Sequence, residues 1–241
     1  MKNYKRIVYT VLLTLLCSTL AVGCLKEGED TVILPPYPLE DKPTTGYGDG
    51  TADAVIPEAI RETFKQYMPI HEGKYPPNIE GQYLVSPLVL VYTSDGQFEP
   101  GREFADEYYS FEDQTSNGIC KAYTRELTST GRADTVWIVG QDNKFTAFFV
   151  EKGYYNDSAG TWYVTSNLIS GEITESGIRD FHLAFIMLDK YDPTSIIMDV
   201  NEYRVFKDDD GLATRYNWRK AKDVVETCLT EGLLPSVAAK R

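Results

Sequence analysis

The chain has 241 residues, of which 36 are acidic and 24 basic, giving a formal charge of −12 at neutral pH. That balance argues against a nucleic-acid partner, because phosphate recognition demands a basic face. Hydrophobic residues make up 42% of the chain, with 17 Tyr and 10 Phe, while only two histidines offer imidazole for metal or acid–base chemistry.

At the start, Lys2, Lys5 and Arg6 precede a mostly apolar run from Ile7 to Val22. The run is shorter than the roughly 20 residues a spanning helix needs, so it is a targeting segment and no part of the fold. Leu20-Ala21-Val22-Gly23-Cys24 follows. It resembles the lipobox of bacterial lipoproteins, which implies a signal peptide over 1–23 and diacylglycerol on the Cys24 thiol. An ordinary secretory signal with an incidental cysteine is the alternative. Each buried acyl methylene contributes about 0.8 kcal/mol, so two or more chains anchor a protein firmly without a spanning segment. Without its first 24 residues the chain keeps 21 basic residues against 36 acids, a formal charge of −15. Lys26-Glu27 and Glu29-Asp30 resemble the acid-rich tag that sends some Gram-negative lipoproteins to the cell surface. The expected location is the outer membrane, lipid-anchored and surface-exposed; a plain solvated linker is the other reading of these residues.

Residues 24–53 hold the acylated cysteine and a tether. Pro35, Pro36, Pro38, Pro43, Gly46, Gly48 and Gly50 stand among acids with few apolar neighbours, a composition that cannot bury a core. As a flexible coil this segment spans on the order of 30 Å. A single folded domain is expected over 54–232. It opens with a short amphipathic helix in "IPEAIRETFKQYM", where Pro57 suits the first helical position and Glu58 favours the positive helix end. Ile56, Ile60, Phe64 and Met68 form its apolar stripe.

Eight antiparallel strands are predicted next, near 80–93, 106–115, 119–129, 133–140, 143–152, 160–173, 177–189 and 197–206. Their Tyr, Val, Phe, Thr and Ile runs are separated by Gly, Asn, Asp and Pro clusters. "GQDNKF" and "GYYNDSAGTWY" carry hairpin-turn residues. So many strands with short loops predict a mainly β fold, an up-and-down eight-stranded barrel, because closure removes exposed edges; a sandwich shares the same periodicity. "NWRKAKDVVETCLTEG" returns to helical spacing through Trp218, Ala221, Val225 and Cys228, predicting a C-terminal helix on the exterior. Residues 233–241 form a tail.

Gly81-Gln82-Tyr83 stands just after the first helix, at the start of the first strand. It is similar to the G-x-W opening of lipocalins in the wider calycin group, with Tyr in place of Trp. The layout over 55–206 resembles lipocalin-like domains of bacterial lipoproteins. The resemblance implies a barrel that holds a small hydrophobic or amphipathic ligand without catalysis, with Tyr83 plugging one end.

No catalytic constellation emerges. A G-x-S-x-G nucleophile motif is absent, and carboxylates are too plentiful for any pair to stand out. "KDDDG" lacks the spaced ligands of a calcium loop and reads as a solvated turn. His71 falls in a loop. His182 alternates with Phe181, Leu183, Phe185 and Met187, and so shares the opposite face with Asp180, Ala184 and Ile186. If that face lines a barrel, His182 is a polar group in an apolar cavity; otherwise it is an ordinary strand histidine. Trp137, Tyr163 and His182 are the candidate ligand contacts, by stacking and polar contact. Cys120 and Cys228 are the pair a disulfide would join in an oxidising compartment, two buried thiols being the alternative. No catalytic residue, metal or cofactor is expected. The predicted partners are a membrane, through the anchor, and a small hydrophobic ligand. A surface module with a side-chain-filled barrel that contacts a glycan or a protein is the second reading.

Overall fold

A computed structural model describes residues 55–217. The signal segment, Cys24, the tether, the C-terminal helical stretch with Cys228 and the tail lie outside the described residues.

The described chain begins with one short helix, α1 (Glu58–Phe64), and continues as eleven strands. These are β1 (Gly81–Val85), β2 (Leu88–Thr93), β3 (Glu103–Phe104), β4 (Glu107–Glu112), β5 (Ile119–Arg125), β6 (Ser129–Gln141), β7 (Lys144–Tyr155), β8 (Trp162–Ile173), β9 (Gly177–Tyr191), β10 (Tyr203–Asp208) and β11 (Leu212–Arg215). All belong to one antiparallel sheet in the order β11-β1-β4-β5-β6-β7-β8-β9-β10-β2-β3. β11 also pairs with β9, so eight of the strands close into a barrel-like ring.

Three strands are additional to those predicted. The predicted first strand breaks into β1 and β2 at Ser86-Pro87, where proline has no N–H for the ladder and the Ser86 N–H turns to the Asp208 carboxylate at 3.1 Å. β3 precedes the predicted second strand and keeps its register: Leu88 faces Phe104 and Val85 faces Glu107 without slip. At the end, β10 is displaced from the predicted 197–206, and β11 follows it across a turn at Asp209–Gly211. "KDDDG" therefore is a turn, with Gly211 at positive φ, but only part of it is solvated. Asp208 is buried, and burial together with the Asp210 side chain pushes its carboxyl up to about 6. "GQDNKF" forms the tight hairpin predicted, with Gln141 opposite Lys144 and Asp142 in the left-handed region.

Side chains alternate across this sheet, and the two faces are buried against different things. On the outer face α1 lays down Ile56, Ile60 and Phe64, with Met68 just beyond, all buried at about 2 kcal/mol apiece. Pro57 caps the helix and does not enter it. Tyr67 stacks on Tyr92 at 4.3 Å, Phe64 meets Tyr203 edge-on at 5.7 Å, and the His71 N–H donates to Thr146. The inner face holds the main core, in which Tyr83, Tyr109, Phe111, Phe145, Phe149 and Phe181 are the large members.

Those rings fill one end of the ring of strands. The Tyr83 hydroxyl donates to the Ile79 carbonyl at 2.9 Å, and the Arg215 guanidinium lies 5.3 Å above its ring. Gly81, at φ +149°, explains the glycine two residues earlier: a Cβ there would stand 2.6 Å from Arg215 Nη1. Cys120 belongs to this packed end as a free thiol, and burial pushes it up to about 12, so it is unreactive. Its predicted disulfide partner, Cys228, lies outside the described residues.

Candidate ligand cavity

The opposite end of the ring is not filled. A cavity of about 250 Å³ opens there, the liquid volume of about eight waters at ~30 Å³ each. The β2–β3, β5–β6, β7–β8 and β9–β10 connections surround this end, as the alternating strand directions require. Ile196, Ile197 and Met198 from the β9–β10 connection line the cavity, as does Phe98 from β2–β3. Residues 197 and 198 fall in the strand predicted over 197–206. They are instead a loop, because the Asp192 carboxylate accepts the N–H groups of Ile196 and Ile197 at 3.1 and 2.8 Å.

The wall has two halves. Leu88, Phe104, Leu183, Phe185, Met187 and Phe206 make an apolar side on β2, β3, β9 and β10. Facing it are three carboxyl groups, Glu107 on β4, Glu126 in the β5–β6 turn and Glu151 on β7. Tyr155, Tyr163, Ser129, Thr165 and Asn167 complete the polar side.

Each glutamate is held. Glu151 is 5% exposed and accepts from Thr124 Oγ1 at 2.9 Å and Tyr163 Oη at 3.3 Å. Ser129 donates to Glu126 at 3.4 Å, and Tyr109 donates to Glu107. Two glycines make the room. Gly131 and Gly153 face each other across β6 and β7, both on the inner face. A Cβ at Gly131 would stand 2.3 Å from Glu151 Oε1, and one at Gly153 would stand 2.1 Å from the Tyr163 ring.

Burial sets the electrostatics. Removal from water pushes Glu151 up to about 7, against the hydrogen bonds from Thr124 and Tyr163 and with the charge of Glu126 adding to it. Glu107 rises well above the usual carboxylate range through burial and the neighbouring charges of Glu126 and Glu151. Burial raises Glu126 as well. Among the described residues one cation lines the cavity, Arg204 on β10, and its charge is already matched: Nη2 donates to Asp95 at 2.6 Å.

Of the three predicted ligand contacts, the structure brings one to the cavity. Tyr163 lines it and holds Glu151. Trp137 is 3% exposed and does not line it; it stands opposite Phe148 on the outer face, between Val136 and Ile138 of the inner core. His182 is likewise on the outer face, because its neighbours Phe181 and Leu183 take the interior. Its Nδ1 lies 3.0 Å from the Asp180 carbonyl, so it is the ordinary strand histidine of the two readings. The sequence reading missed Glu107, Glu126 and Glu151. For two of them the signal is parity: Glu107 alternates with Tyr109 and Phe111, and Glu151 with Phe149 and Gly153, placing acids on an aromatic inner face. Among the described residues no cluster of metal-type ligands has a geometry that would hold a metal ion. No known protein family, curated protein or solved structure matches the chain.

Proposed function

We propose that the protein is a lipid-anchored binding module: a lipocalin-like, eight-stranded barrel that takes up a small amphipathic molecule at its open end without transforming it. The observation that carries the reading is the division of the interior, aromatic and packed at one end, hollow and two-sided at the other. Binding pockets are concave and combine apolar surface with placed polar groups, and this cavity divides about evenly between the two at a volume just below the usual range. Tyr83 at the packed end supports the lipocalin likeness of Gly81-Gln82-Tyr83, since its ring plugs that end under Arg215. Exposed apolar side chains on the same rim, Leu127 at 85% and Ile196 at 56%, suit a ligand that arrives from a greasy phase. Cys24 acylation and surface display through Lys26–Asp30 complete the proposal, on the strength of the sequence.

The test is calorimetric titration with 2-phenylethanol, which is neutral and small enough for the cavity. Saturable one-to-one binding is expected in the wild-type protein, and its loss in Met187→Trp, whose indole fills the mouth. A cooperative melt of the variant establishes that it is folded. Absence of binding to the folded wild-type protein up to millimolar concentrations overturns the reading.

A further inference from the structure

We propose that the cavity is selective for an amphipathic organic cation, a small amine whose ammonium sits among Glu107, Glu126 and Glu151 and whose apolar body lies on Phe104, Phe185 and Phe206. This rests on the reading of the cavity as a ligand site and adds the ligand's charge.

Two independent features support it. The first is an excess of acid: three carboxyl groups, Glu151 buried and Glu107 and Glu126 half-buried, share one wall, and Arg204, the one cation that lines it among the described residues, pairs with Asp95 through Nη2 while its Nε has no acceptor. Buried carboxylates in close proximity cannot all ionise without a partner of opposite charge. The second is an orphan acceptor. Asn167, 6% exposed, lines the cavity and donates through Nδ2 to the Thr165 carbonyl and hydroxyl. That carbonyl contact fixes which way the amide faces, and its Oδ1 has no partner among the described residues. Two hydroxyl donors on this side are already committed, Tyr163 to Glu151 and Ser129 to Glu126. A ligand that brings donors and positive charge suits this wall. An ammonium brings both, and the rings of Tyr155 and Tyr163, 5.9 Å apart and edge-to-face, add aromatic surface beside it. A bare metal ion does not suit the apolar half of the wall, and among the described residues no acidic cluster has metal-ligand geometry.

Acidity ties this preference to pH. The groups that face Glu151 are Glu107 and Tyr109 from β4, Glu126 from the β5–β6 turn, Tyr155 from its own strand, Tyr163 from β8, and the Arg204–Asp95 pair from across the cavity. Glu151, pushed up to about 7 by burial, holds a proton below that value that an arriving ammonium displaces, so amine affinity rises with pH through about 7.

Three matched probes test this: 2-phenylethylamine, 2-phenylethanol and 3-phenylpropanoate, titrated at pH 5 and pH 8 into wild-type protein and into Glu151→Gln and Glu126→Gln. At pH 8 the amine is expected to bind about tenfold or more tightly than the alcohol, the worth of one charge-assisted contact. That advantage shrinks at pH 5 and in both variants, while the acid is rejected at pH 8. A cooperative melt of each variant establishes that it is folded. Equal affinity of amine and alcohol, tighter binding of the acid, or an amine preference untouched in both variants overturns the charge assignment and leaves the cavity reading standing. Failure of all three probes on folded wild-type protein overturns both.

Discussion

Glu151 carries a cost in stability set by its buried place in the cavity wall. Its folded-state carboxyl titrates at about 7 against an ordinary value of 4.5. Because the folded value is the higher one, the proton's contribution to stability is complete below about pH 4.5 and is lost as pH rises toward 7. The loss at pH 8 is about 3 kcal/mol, from the size of the shift. Glu151→Gln should therefore melt several degrees above wild type at pH 8, with the difference vanishing at pH 4, as thermal unfolding at the two pH values will show. Gly153 belongs to the same design. Gly153→Ala sets a methyl group 2.1 Å from the Tyr163 ring and turns that ring into the cavity. A loss of about 1–3 kcal/mol in stability is expected, with 2-phenylethanol binding weakened at the same time.

The elements divide between those legible in sequence and those that are not. Long strands rich in Phe, Val, Thr and Tyr, such as β7 and β8, lie close to their predicted ends, because β-prone composition and flanking turn residues both mark them. α1 is equally plain from Ile56, Ile60, Phe64 and Met68. Sequence reasoning fails where tertiary contacts override local preference. Ile196-Ile197-Met198 is β-prone by composition, yet Asp192 bends that run over the cavity. Parity sets His182 opposite Phe181 and Leu183 but does not say which face is inner. The face of β9 that carries His182 looks toward the helical segment, where Ser166 of the neighbouring strand donates to the Val55 carbonyl. Only the three-dimensional ring distinguishes inner from outer. Asp192→Ala should free the two N–H groups it holds, raising amide exchange across 194–200 and costing about 1–2 kcal/mol. Phe64→Ala should cost about 3–5 kcal/mol, read from denaturant unfolding, while 2-phenylethanol affinity stays unchanged because α1 packs outside the ring.

For the whole molecule, the proposed anchor at Cys24 and a proline- and glycine-rich spacer, both read from the sequence, precede a ring packed at one end and hollow at the other. The anchor has its own check: a clickable fatty acid fed to expressing cells should label the wild-type protein and leave Cys24→Ser unlabelled, and protease treatment of intact cells should remove the domain. The central claim, that the open end receives a small molecule, is tested most directly at the methionines. Met187 and Met198 line the cavity, whereas Met68 is buried beside α1 on the outer face. With methyl-labelled methionine, titration of 2-phenylethylamine at pH 8 should shift the Met187 and Met198 signals along one saturating curve and leave Met68 in place. Unmoved Met187 and Met198 signals at millimolar amine, or a shift confined to Met68, would contradict it.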